Sequence, residues 1–200
     1  MVVASHVIFT TYGFWLPNDP RGSWSDFVGA WELLPYGKAT KTVERRSLAR
    51  DSHDRQRRLD AKKALKLPPV EFSGRQALLI AKAFECLANE KGYLFLALSI
   101  LPKHIHAVLG RHERDAEDIV GHLKFAATRQ LVGVTMHPFE NHRDAMGRLP
   151  TMWTKRSWKV FLDSPEDIQR AVRYVEENPV KEGKRKQAWT FVDASRTRGG

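Results

Sequence analysis

The apolar and polar positions of the chain divide it into strand-like and helix-like stretches. Val2 to Thr11 is rich in β-branched and aromatic residues and predicts a first strand. The segment Leu16-Pro17-Asn18-Asp19-Pro20-Arg21-Gly22-Ser23-Trp24 is too dense in turn residues for a helix. Ala77, Ile80, Phe84 and Leu87 then recur at helical spacing. Ser73 with Gln76 three later has the capping-box pattern, and Gly92 stands where a C-terminal glycine belongs, so the helix runs over about 74–90. Cys86, between Phe84 and Leu87, is expected to be a buried thiol on it. Tyr93 to Leu101 is a continuous apolar run of central-strand length. Pro102-Lys103 turns the chain into a second strand, His104 to Gly110. Asp115 to Val132 reads as a helix, apolar at Ile119, Leu123, Ala126 and Leu131. His137 to Pro150 reads as a loop and Trp158 to Asp163 as a strand. Ser164 caps a last helix, with Pro165 at its first position and Glu166 and Asp167 in its first turn. That helix is expected to stop at Asn178-Pro179.

The order is β, insertion, α, β, β, α, β, α. A helix joining strands of one direction, plus a central hairpin, gives an α+β fold of the ferredoxin-like split βαβ type with helices packed on the sheet. An open antiparallel sheet with helices on one face is the alternative.

At 200 residues the chain is long enough to bury a core. It reads as one domain, 1–200, with a basic insertion at about 17–70 and a basic tail at about 181–200. Lys and Arg number 33 against 23 Asp and Glu, a net +10. Such an excess favours a polyanionic partner, nucleic acid before membrane, unless it is only a soluble basic surface. Residues 38–66 hold eleven Lys or Arg and four Asp or Glu, and are either a solvated surface helix and loop or an arm that contacts phosphates. One cysteine excludes an internal disulfide and a thiolate zinc site. No apolar run reaches the ~20 residues of a membrane span, and the N-terminus lacks signal-peptide features. The expected compartment is the cytoplasm, at the nucleoid if DNA is the partner.

His104-Ile105-His106 is the first candidate for chemistry. Side chains alternate along a strand, so the two histidines share a face, with Cα atoms roughly 6.6 Å apart. They either converge on a divalent ion or bond to backbone and water. Tyr174 and Asn178 stand four apart on the last helix and are neighbours on one face, about 40° apart around its axis. They flank the buried stripe of Ile168, Ala171, Val172 and Val175, and Glu177 points about 100° away from Asn178. They form either a site edge or an ordinary helix boundary. Tyrosine can act as a nucleophile, but a phenol ionises only near pH ~10 and needs help. A divalent cation gives that help by polarising the electrophile. Two imidazoles and an amide oxygen suit Mg²⁺ or Mn²⁺.

Three blocks now resemble a known family. They are TTYGFWLPNDPRGSW after the first strand, LPKHIHAVL, and WKVFLDSPEDIQRAVRYVEENPVKEG. Together they resemble the HUH single-strand transposases with one catalytic tyrosine: the IS200-like group and the REP-associated tyrosine transposases. The resemblance spans most of the chain apart from the insertion and the tail. It implies an HUH fold and a metal-dependent enzyme that cleaves and rejoins single-stranded, hairpin-bearing DNA. By position it implies that His104 and His106 hold Mg²⁺ or Mn²⁺. Tyr174 would attack the DNA, form a 5′-phosphotyrosine link and free a 3′-OH. Asn178 would be the third ligand, where the IS200-like proteins carry glutamine. Relatives work as monomers or as homodimers that pair one subunit's tyrosine helix with its partner's histidines.

Single strands are held by basic grooves and stacking aromatics. Candidates are Arg21 and Trp24 in the turn segment, with Trp15 and Trp31 beside them, and Lys124 and Arg129 on the second long helix. Lys155 and Arg156 lie between Trp153 and Trp158. Lys181, Lys184, Arg185 and Lys186 follow Asn178 and form either a DNA contact or a solvated tail. Two other readings remain: a non-catalytic DNA-binding protein on the same fold, and an HUH nickase serving replication or conjugation.

Overall fold

The computed structural model describes residues 3–17, 19, 28, 30–39 and 54–193. The chain divides into two compact units, one of residues 1–10 and 71–200, the other of residues 11–70.

The first unit holds a four-stranded sheet. Its strands are β1 (Ala4–Thr11), β2 (Phe95–Ile100), β3 (His104–Gly110) and β4 (Trp153–Leu162), in the order β2-β3-β1-β4. β3 runs antiparallel to both β1 and β2. β1 and β2 therefore point the same way with β3 between them, which is the split βαβ arrangement. β4 lies antiparallel along β1: Val3 donates to the Leu162 carbonyl at one end and the Thr10 and Thr154 hydroxyls bond at the other.

Strand alternation gives the sheet two apolar faces. Val7, Phe9, Ile105 and Leu109 point to one side, where Phe9 meets Phe84 at 6.3 Å between ring centroids. The helices on this side are α2 (Gly74–Lys91) and α3 (Ala116–Gly133). Ala4, Leu96, Val108 and Leu162 point to the other side and pack against Ile168, Ala171, Val172 and Val175 of α4 (Pro165–Lys181). Helices thus cover both faces, and the one-faced alternative is excluded.

The caps follow the sequence. Ser73 and Gln76 form the reciprocal capping box of α2, and Gly92 ends it with φ +71°. The Ser164 side chain accepts from the Asp167 N–H at the start of α4.

Four details differ from expectation. Cys86 is exposed, because it lies two residues, about 200°, from Phe84 on the helix. β4 begins at Trp153, whose indole donates to the Thr128 hydroxyl at 3.1 Å and anchors residues that lack strand alternation. α4 passes through Asn178-Pro179 to Lys181. Gly183, at φ +68°, donates to the Val180 carbonyl and Lys184 to that of Pro179. This Schellman pairing closes the helix one turn later. Lastly, the tail does not all run free. Gln187 bonds both the N–H and the carbonyl of Ile100, and Asp193 donates to the Phe95 carbonyl, so residues 187–193 cover the outer edge of β2.

The second unit contains a short 3₁₀ helix, Trp31–Tyr36, and α1 (Arg55–Lys63), capped by Asp54. Leu16, Leu33 and Ala61 form its small core. In the basic segment, residues 54–66 are an exposed helix and turn around the single buried Ala61. Among the described residues no helix is long and apolar enough to cross a membrane.

Candidate active site

β3 pairs with β1 from His104 to Gly110 and with β2 from Ile105 to Leu109, so its alternation is fixed by the β1 ladder. Ile105 and Ala107 go to the α2–α3 side, and His104 and His106 go to the α4 side. Their rings meet edge to face with centroids 4.9 Å apart. α4 lays its apolar stripe on the same face of the sheet, and this carries Tyr174 to them. The Tyr174 ring centroid lies 5.7 Å from that of His106. All three residues belong to one chain. Tyr174 is 45% exposed, whereas both histidines are buried.

His106 is pushed well below the usual imidazole range, first by burial and then by its neighbours His104 and His6. At neutral pH it is uncharged, as a metal ligand must be. Asn178, one turn beyond Tyr174, is buried, and its Nδ2 has no hydrogen-bond partner among the described residues. A buried amide end without a partner is costly. A half-turn of the side-chain amide exchanges nitrogen for oxygen, so the same place can present the oxygen a cation prefers. Two buried imidazoles and this amide fit a divalent ion with mixed nitrogen and oxygen ligands. His, Cys, Asp and Glu alone form no metal-holding group of three among the described residues.

Two residues of this cluster escaped the reading of the sequence. His6 on β1 places Nε2 3.2 Å from Nδ1 of His106. Its signal was a histidine inside an apolar strand, which demands a partner once buried. Glu182, just past α4, places Oε1 3.4 Å from Nε2 of His104. It stands four residues after Asn178, and the longer helix brings it round to that face.

The basic candidates are dispersed. Lys181 joins the site, with Nζ 5.3 Å from the Tyr174 ring centroid and 2.9 Å from Glu177. Lys124 and Arg129 lie across the sheet on α3. The Lys124 ammonium donates to the Thr154 carbonyl at 2.8 Å, and burial lowers its pKa to about 8. Arg129 stacks over the exposed Phe125 at 5.8 Å. Lys155 and Arg156 are exposed on β4. Arg156 shares a strand face with Trp158, which meets His6 edge to face at 5.4 Å. Lys184 and Arg185 are exposed beyond α4. Arg21 and Trp24 lie outside the described residues.

No protein-family model and no curated protein matches the chain. Among solved structures, the chain is similar to a REP-associated tyrosine transposase bound to a REP hairpin. The two are 16% identical, with 94% of this chain and 74% of that one covered and a TM-score of 0.48. It is also similar to a Deinococcus radiodurans protein described as a transposase, at 12% identity, 92% coverage of both chains and a TM-score of 0.39.

Proposed function

We propose that the chain is a metal-dependent tyrosine transposase that cleaves and rejoins single-stranded or hairpin DNA through a 5′-phosphotyrosine intermediate. The observation that carries this reading is the approach of a half-exposed phenol, Tyr174, to 5.7 Å from a buried neutral imidazole, His106, that is paired with His104.

The Tyr174 hydroxyl attacks the phosphorus of a phosphodiester. The new bond joins Tyr174 Oη to phosphorus, and the bond from phosphorus to the 3′-oxygen breaks. The phenol gives up its proton, and the departing oxygen takes one up as a free 3′-OH. A 3′-OH attacking the phosphotyrosine runs the same exchange backwards, so no nucleotide is hydrolysed to rejoin the strand. Lys181 places positive charge over the Tyr174 ring, where it attracts a phosphate. His104, His106 and Asn178 would hold Mg²⁺ or Mn²⁺, which supplies neutralisation of the charge developing on the phosphate. Arg156, Lys184 and Arg185 are exposed cations available to the strand.

The test incubates the full chain with an end-labelled, hairpin-bearing single strand and Mn²⁺, followed by a denaturing gel. The expected result is a covalent protein–DNA band, absent in Tyr174→Phe and after chelation, and reduced at least ~100-fold in His106→Ala. An undiminished band in Tyr174→Phe would remove Tyr174 from its role. DNA binding without any covalent band would favour the non-catalytic reading.

A further inference from the structure

His6 is not among the residues that the metal-and-tyrosine reading needs, yet its side chain is packed into the site. It sits on β1, with Val7 and Phe9 on either side of Ile8 committing the odd positions to the α2–α3 core. Even positions of β1 therefore face α4. β1 pairs His6 with Val108 and Ile8 with His106, so His6 and His106 are diagonal neighbours on that face. Their ring centroids are 5.5 Å apart with planes 29° from parallel, and Nε2 of His6 is 3.2 Å from Nδ1 of His106. Trp158 at 5.4 Å and Tyr174 at 5.8 Å meet the His6 ring edge to face. One imidazole thus touches both the ligand histidine and the nucleophile.

A neutral imidazole has one N–H and one lone pair. Two neutral rings joined through Nε2 and Nδ1 share one proton along that line. If His6 donates, His106 must carry its own proton on Nε2 and has no lone pair left for a cation. If His106 donates from Nδ1, its Nε2 lone pair is free. Nδ1 of His106 is already engaged, so Nε2 is the nitrogen that remains for ligation.

We propose that His6 is a positioning residue: its Nε2 accepts the Nδ1–H of His106, which fixes the ring and aims the lone pair of His106 Nε2 at the divalent ion. The inference rests on the metal-site reading given above. Outer-shell acceptors of this kind change metal affinity by about 10–100-fold.

The test uses the full-length protein and Mn²⁺ alone. The variants are His6→Phe, which keeps a ring and loses the acceptor, and His6→Gln, whose Oε1 reaches to about the place of the imidazole Nε2. His6→Asn, shorter by a methylene, serves as the third variant if His6→Phe does not give a cooperative melt. Mn²⁺ affinity is measured by calorimetry. The tautomer of His106 is read by ¹H–¹⁵N imidazole spectroscopy on metal-free protein, with His106→Gln to assign the signals. The proposal expects an Nδ1–H tautomer at His106 in the wild type. It expects a loss of Mn²⁺ affinity of about 10–100-fold in His6→Phe, or in His6→Asn, and recovery of most of it in His6→Gln. Wild-type affinity in His6→Phe, or an unchanged His106 tautomer there, would overturn it. If wild type and His106→Ala bind Mn²⁺ equally, the metal-site reading itself fails. The metal-free tautomer still decides on His6: its loss in His6→Phe supports the positioning role, and its persistence overturns it.

Discussion

His106 keeps almost no contact with water, and burial holds it neutral where a surface histidine would be partly charged. The same physics acts across the sheet on Lys124, whose pKa falls to about 8 through burial. A lysine depressed in the folded state and ordinary in the unfolded one binds fewer protons when folded between pH ~8 and ~10.4. Stability from this group therefore increases as pH rises through that window. Lys124→Met serves as the reference, with denaturant midpoints of both proteins measured at pH 7 and pH 10. The wild type should gain on the variant by about 1–2 kcal/mol at the higher pH, discounted because the group is only partly buried. A difference that stays flat with pH would show that the ammonium is not desolvated. The Lys124 ammonium is spent on the carbonyls of Thr154 and Arg156, which bears on its candidacy as a DNA contact. His104, His106 and Tyr174 stood out in the sequence by type and spacing, and the fold brings them to one face of the sheet. His6 did not stand out, because its partner is 100 positions away and only the β1–β3 ladder joins them.

Element boundaries followed local signals where those signals were complete. α2 begins at its capping box and ends at Gly92, and β3 runs from His104 to Gly110, as its sequence predicts. α4 runs past its expected stop to Lys181 and is closed by Gly183. A proline near the last turn is tolerable when a left-handed glycine follows to receive the helix end. Gly183→Ala should therefore cost about 1 kcal/mol of stability in a denaturant melt, from backbone strain alone, since nothing crowds a Cβ there. Gly183→Asn should recover part of it. Equal stability of wild type and Gly183→Ala would show that α4 does not depend on this terminus. The extra turn matters to the site, because it brings Glu182 within 3.4 Å of His104. β4 was legible only in its second half. Its first residues are held by Trp153 and Thr154, whose partners Thr128 and Thr10 come from elsewhere in the chain.

At the scale of the whole molecule, the split sheet was legible from the order of elements, and the second unit, residues 11–70, brackets the insertion expected at about 17–70. Residues 11–70 form a unit whose ends meet: the Thr11 hydroxyl donates to the Val70 carbonyl at 2.8 Å, and Val70 N–H to that of Tyr12 at 3.0 Å. Replacing residues 13–69 with a short Gly-Ser bridge should leave a sheet that melts cooperatively. Those residues hold twelve Lys or Arg and seven Asp or Glu, a net +5, half of the chain's +10. If they contact phosphates, the shortened protein should bind single-stranded DNA more weakly and with a shallower dependence on salt. An unchanged slope would assign them to a solvated surface. The proposed chemistry is tested by where a strand becomes joined. Protease digestion of the Mn²⁺-formed adduct, with mass spectrometry of the DNA-linked peptide, should place a 5′-phosphate on Tyr174. A linkage to any other residue, or through a 3′-phosphate, would contradict it.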